Sequence, residues 1–219
     1  MTTHFDLRFA LVASCALASA GLAAVACSSK DESTTTTTGD GGTTSSTGSS
    51  GATGNVPAGA LELVVNEMAA VGASEWVEIA NKGSAAFDLS DYQLADSDKT
   101  TGEPKTKDAM KFPAGTSIAA GGKVLVLTSK KDQPVGPHPK AECLANGPDT
   151  CFYAGWGLSS ANGEQVHLLG KDGAVIASTA YPRNVGVDAD AGQTACRLPD
   201  MTGEFATCKG TPGAANAGP

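Results

Sequence analysis

From residue 57 onward the apolar residues arrive in short runs, each stopped by glycine, serine, aspartate or proline. Runs of about 4 to 8 residues with such boundaries read as strands, and none here is long enough for a stable amphipathic helix. Residues 61–68 and 75–81 are the first two, parted by Val71-Gly72-Ala73-Ser74. Further strands are predicted at 87–94, 117–118, 123–128, 164–169 and 174–180, with Gly121-Gly122 and Asp172-Gly173 as turns. Asp-Gly between Val166-His167-Leu168-Leu169 and Ala174-Val175-Ile176 is a strong hairpin signature. Strands this short must bury an apolar face against another sheet, which predicts an all-β sandwich, with a small barrel as the structural alternative.

The first quarter of the chain has a different composition. Met1 to Arg8 is polar with one arginine, and residues 9–26 form an alanine-rich apolar run interrupted by Ser14, Cys15, Ser19 and Gly21. A spanning helix wants about 20 strongly apolar residues, so this run reads as an export signal peptide over residues 1–26. Its end, Leu22-Ala23-Ala24-Val25-Ala26-Cys27, resembles the lipobox of bacterial lipoproteins, and the resemblance implies lipid attachment at Cys27. Ser28 resembles the second residue of outer-membrane lipoproteins, which implies a lipid-anchored protein of the bacterial cell envelope, in the outer membrane. Val12-Ala13-Ser14-Cys15 also fits the lipobox, but it leaves too short an apolar segment after Arg8.

Residues 27–56 carry the run Thr34 to Thr38 and then Gly, Ser, Thr and Asp with almost nothing apolar. Such a segment cannot offset its ordering entropy by burial and is predicted to be a disordered linker. Its mean reach as a flexible coil is roughly 30 Å, and its stretched limit roughly 100 Å. The folded domain is thus assigned to residues 57–219.

The chain has a formal net charge of −8. That balance repels phosphate backbones, so no nucleic-acid partner is expected. Lysines do gather at Lys99, Lys105, Lys107 and Lys111, and again at Lys130 and Lys131. The first group has no interleaved aromatic residues and is offset by Asp96, Asp98, Glu103 and Asp108, so a solvated loop is the expectation.

Six pieces then occur in a fixed order. They are Leu63-Val64-Val65-Asn66-Glu67-Met68; Glu75-Trp76-Val77-Glu78-Ile79-Ala80-Asn81; Asp88-Leu89-Ser90-Asp91-Tyr92-Gln93-Leu94; Phe112-Pro113-Ala114-Gly115-Thr116; Leu158-Ser159 with Gly163-Glu164; and Thr211-Pro212-Gly213-Ala214-Ala215-Asn216. Together they resemble the lamin-tail domain, from about residue 61 to 216. The resemblance implies an immunoglobulin-like β-sandwich and carries no catalytic residues. Residues 99–111 and 132–153 depart from the compact family form and read as loop insertions, where binding specificity tends to reside.

Candidate chemistry is sparse. His138 lies in a proline-flanked loop and His167 on a predicted strand, and neither has the companions of a zinc site. Ser159 and Ser160 near His167 lack the Gly-x-Ser-x-Gly turn of a nucleophile. Glu67, Glu75 and Glu78 could be imagined as paired carboxylates, but structural or surface roles are favoured. Asp188-Ala189-Asp190-Ala191-Gly192 opens like a calcium loop and then lacks the third acid and the bidentate glutamate, which leaves a solvated turn. No catalytic residue, metal or cofactor is predicted.

Of the six cysteines, four lie in the folded part. An exported domain oxidises them, and of three possible pairings the local one, Cys143 with Cys151 and Cys196 with Cys208, is favoured. Asn146-Gly147-Pro148 can turn the first loop, and Pro199-Asp200 with Thr202-Gly203 the second. A metal site from all four is disfavoured, since neither pair has a two-residue gap. The functional expectation is a non-catalytic, lipid-anchored envelope protein whose domain binds or scaffolds an envelope protein or polysaccharide. An accessory domain to a secreted enzyme such as a nuclease, or a purely structural envelope protein, are the alternatives.

Overall fold

The computed structural model describes residues 56–219, apart from 58, 71–73, 161–164 and 184. The expected signal peptide, Cys27 and all of the expected linker before Val56 lie outside the described residues.

The described chain is nearly all β. In order, the strands are β1 (Leu63–Ala69), β2 (Trp76–Asn81), β3 (Phe87–Asp88), β4 (Gln93–Asp96), β5 (Met110–Lys111), β6 (Ser117–Ile118) and β7 (Lys123–Leu127). They continue with β8 (Gly136–Pro139), β9 (Thr150–Tyr153), β10 (Gln165–Leu169), β11 (Val175–Ala180), β12 (Gln193–Leu198) and β13 (Glu204–Lys209). Single 3-10 turns occupy Ala60–Glu62, Thr106–Asp108 and Lys140–Glu142. A seven-stranded sheet runs β13-β12-β1-β2-β7-β9-β8, a four-stranded sheet runs β11-β10-β4-β5, and β3 pairs with β6 alone. The sandwich expectation is met.

The main core lies between the two larger sheets. Leu63, Val65, Met68, Val77, Ile79 and Val126 of one face Leu94, Met110, Val166 and Leu168 of the other, with Leu89, Phe112 and Ile118 closing the edge. Each such side chain, once fully buried, contributes about 1.5–3 kcal/mol. A bulge in β1 lies between Val65, opposite Ile79, and Glu67, opposite Glu78. The extra residue, Asn66, reverses the alternation, so Glu67 and Glu78 project from the same outer face.

That outer face is covered as well. Ala69, Trp76, Leu125, Leu127, Cys151 and Tyr153 form a second cluster, against which Cys143 and Leu144 pack. With both faces occupied, every residue of β2 is buried, which explains its unbroken Trp-Val-Glu-Ile-Ala-Asn sequence. Residues 132–153 therefore do not form a plain loop insertion. They supply β8 and β9, with β9 parallel to β7 and β8 antiparallel at the sheet's edge. Leu144, beside the 3-10 turn of the same excursion, helps close the second cluster.

The predicted single strand at 87–94 is two short ones. Asp91 takes a left-handed backbone (φ 67°), and the Tyr92 N–H donates to the Leu89 carbonyl at 3.0 Å. Aspartate tolerates that conformation better than most residues, so the chain turns there. The Asp172-Gly173 hairpin forms as expected: Gly173 has φ 81°, and the Gly170 N–H donates to the Ala174 carbonyl at 2.8 Å.

Candidate binding groove

The carboxylates singled out in the sequence fall into two separate settings. Glu67 and Glu78 are fully buried on the outer face of the seven-stranded sheet and receive the C-terminal tail. Glu67 accepts from the Thr194 hydroxyl, from the Thr211 N–H at 3.1 Å and from the Thr211 hydroxyl at 3.1 Å. Glu78 accepts from Asn66 Nδ2 at 2.8 Å and from the Gly213 N–H at 2.6 Å, with Lys123 Nζ 3.3 Å away. Gly213 has φ 81°, and a Cβ there would sit 3.1 Å from Pro148 Cδ, so the turn that delivers its N–H needs glycine.

Asn66 Nδ2 and Lys123 Nζ both also donate to Asp200 Oδ1, at 2.9 and 3.0 Å. The Asn66 Oδ1 accepts the Met201 N–H at 2.8 Å. Burial pushes the Glu67 carboxyl above its usual range, against the hydrogen bonds from Thr194 and Thr211. Glu78 is raised by the same cause, opposed by Asn66, Gly213 and Lys123. Asp200 is also penalised by burial, but hydrogen bonds from Asn66 and Lys123 outweigh it and hold its pKa below the usual range. These groups form a clasp for Thr211-Pro212-Gly213 with every glutamate acceptor engaged, an architectural role.

Both histidines have side-chain partners, although His167 Nε2 is buried without a hydrogen-bond partner among the described residues. His138 stacks on Tyr153 with ring centroids 3.5 Å apart, and its nitrogens lie 2.6 Å from Glu142 Oε2 and 2.8 Å from the Pro134 carbonyl. The hydroxyl partner of His167 Nδ1 is Ser178, at 2.7 Å, and neither Ser159 nor Ser160. Burial lowers the His167 pKa, outweighing the Gly102 backbone and the charges of Glu103 and Asp96. Asp188 caps its own turn, accepting the N–H groups of Asp190 and Ala191 at 3.0 and 3.2 Å. No group of three histidine, cysteine or acidic side chains that could hold a metal occurs among the described residues. The disulfides join Cys143 to Cys151 and Cys196 to Cys208, each with a Cα separation of 5.8 Å.

Glu75, the third carboxylate, belongs to the wall of an open groove of about 1010 Å³. Its Oε2 accepts the Ser129 hydroxyl at 2.6 Å and the Leu158 N–H at 2.8 Å. Ser129 has φ 60°, and its N–H donates to the Trp156 carbonyl at 2.6 Å. A left-handed backbone at a residue other than glycine is an unfavourable arrangement that the surrounding contacts must hold. Gly157 makes the closeness possible, since a Cβ there would fall 2.5 Å from Ser129 Oγ.

Lysines from both sequence clusters line this groove, and Lys99, Lys107 and Lys111 are solvent-exposed, as a solvated loop requires. Lys99, Lys105, Lys107 and Lys111 come from the segment around β5, and Lys131 from the loop after β7. Lys105 pairs with Asp96 Oδ2 at 2.6 Å and Lys111 with Asp91 at 3.0 Å. Lys99, Lys107 and Lys131 have no carboxylate within ion-pair distance among the described residues. Two buried polar atoms of the groove's lining residues, Trp156 Nε1 and Asp96 Oδ1, have no hydrogen-bond partner among the described residues. The sequence reasoning missed this assembly because Lys131 and Trp156 reach it only through the packing of distant loops.

The two packed sheets, with their hydrogen-bonded turns and clasped tail, define an immunoglobulin-like β-sandwich. The lamin tail domain model matches residues 57–183, and the chain belongs to that family. The match ends before β12, so it includes Glu67 and Glu78 but not the tail Thr211-Pro212-Gly213 that they hold. No curated protein matches the chain.

Proposed function

We propose that the chain is a non-catalytic, lipid-anchored protein of the bacterial cell envelope, with its lamin-tail sandwich acting as a binding or scaffolding head. Cys27, acylated at the end of the export signal, holds the protein in the outer membrane, and residues 28–55 act as a flexible spacer that ends where Val56 packs against the main core. The observation that carries the reading is the contrast between the two polar centres. The acceptors of Glu67 and Glu78 are used up in holding the tail, while the lysine groove stays open on a rigid frame. An open, preorganised groove suits recognition, because little ordering entropy is lost on binding. The two disulfides suit an oxidising compartment outside the cytoplasm.

Cell fractionation tests the anchor. The unmodified chain should sediment with membranes and be released only by detergent, whereas Cys27→Ala should appear in the soluble fraction or as an unprocessed precursor. Recovery of both forms in the same fraction with the same processing would contradict the reading.

A further inference from the structure

We propose that the groove beside β5 binds an acidic carbohydrate, a polymer of uronate-type sugars; this specifies the ligand of the binding head and rests on that reading. The groove combines five lysines with Glu75, Asp96 and Asp108, so its charge is positive but diluted. A duplex nucleic acid presents one phosphate per roughly 1.7 Å of axis, and three carboxylates in the same wall oppose so dense a charge. A uronate polymer carries one carboxylate per sugar, separated by hydroxyl groups. Its carboxylates match Lys99, Lys107 and Lys131, and its hydroxyls can donate to the acidic side chains.

The lining residues point the same way. Asp96 engages Lys105 through Oδ2, while its Oδ1 lacks a donor, and the Trp156 indole N–H lacks an acceptor. Both atoms are buried, each exposed by less than 1 Å², so pairing with a ligand takes a bridging water or a local side-chain shift. A buried donor or acceptor left unpaired is unfavourable, and a sugar with both hydroxyl donors and ring or carboxylate acceptors satisfies both kinds. A ligand that offers acceptors alone, such as a simple anion, satisfies only the indole.

Calorimetric titration of the full-length protein in detergent micelles with oligogalacturonate tests the assignment, alongside its fully methyl-esterified form and a single-stranded DNA of equal charge. Binding of oligogalacturonate is expected, weakening as salt rises, with the ester and the DNA each roughly ten-fold weaker or more. Replacing Lys99, Lys107 and Lys131 together by glutamine should weaken oligogalacturonate roughly ten-fold at unchanged melting temperature, since all three are lining lysines without ion pairs. Trp156→Phe keeps an aromatic ring, though a smaller one, but removes the N–H, and should weaken binding a few-fold without abolishing the salt dependence. Equal binding of the ester, preference for DNA, or full affinity in the triple-glutamine protein would overturn the proposal. So would absence of binding by a protein that still fractionates with membranes, which leaves the displayed-head reading standing; an unmodified Cys27 fails that reading instead.

Discussion

Glu67 shows how one buried side chain organises this sandwich. It was legible in the sequence as an acid in an apolar strand, but its partners Thr194 and Thr211 lie far along the chain, so its role as a tail anchor was not. Glu67→Ala would leave two hydroxyls and one N–H without their acceptor, at a cost of about 2–3 kcal/mol in a denaturant melt. The carboxyl's folded pKa stands above its ordinary value of 4.5, so the folded state binds more protons than the unfolded one. This contribution to stability is fully present below pH 4.5 and is lost as pH rises through the folded value. Glu67→Gln, which cannot ionise, should remove that part of the pH dependence. His167 contributes with the opposite sign: its folded pKa lies below the ordinary 6.5, so stability is lost as pH falls from 6.5 through the folded value. Denaturant melts between pH 8 and pH 5 should show a shallower acid-side loss in His167→Gln than in the unmodified protein. An equal or steeper loss would contradict the neutral, buried histidine.

Among the elements, those with period-two or continuous apolar character were legible: β1, β2, β7, β10 and β11 lie within a residue or two of where their sequences place them. β6 coincides with the predicted 117–118 and β3 and β4 divide the predicted 87–94, whereas β8, β12 and β13 were hidden for identifiable physical reasons. β12 and β13 carry Thr, Cys, Arg and Lys, because a disulfide and the polar clasp occupy positions that aliphatic residues fill elsewhere. β8 reads Gly-Pro-His-Pro, which is tolerated only because it is an edge strand whose missing N–H groups need no partner. Several pieces of the family pattern are turn locks whose meaning is local. The Ser90 N–H donates to Asp88 at 2.9 Å, and Asn81 donates to the Ala85 and Ile118 carbonyls at 2.8 and 3.1 Å. Cys143 and Cys151 tie the β8–β9 excursion into the second apolar cluster, closing a short loop. Replacing both by alanine should destabilise the fold by about 2–3 kcal/mol in the chain-entropy account. Hydrogen exchange should rise first in β8 and β9, before the strands of the main core. Uniform exchange across all strands would show that the excursion is not a separable cover.

For the whole molecule, the net charge of −8 describes the groove poorly. Lysines that look neutralised along the sequence are sorted by the fold: Lys105 and Lys111 take ion pairs, whereas Lys99, Lys107 and Lys131 remain on one open surface. A head of this kind is useful at a membrane only if it is held there yet free to reach outward. On the proposed reading, residues 28–55 serve as the spacer, for which a flexible coil of that length gives a reach of roughly 30 Å. Acyl chains on Cys27, each buried CH₂ contributing about 0.8 kcal/mol, would make the attachment effectively permanent. Display at the membrane therefore depends on one covalent fact, the chemical state of the mature N-terminus, which mass spectrometry of the protein isolated from its own cells reads directly. A mature chain beginning at Cys27, with a diacylglyceryl thioether on its sulfur, is the predicted result; an unmodified terminus at any other residue would contradict it.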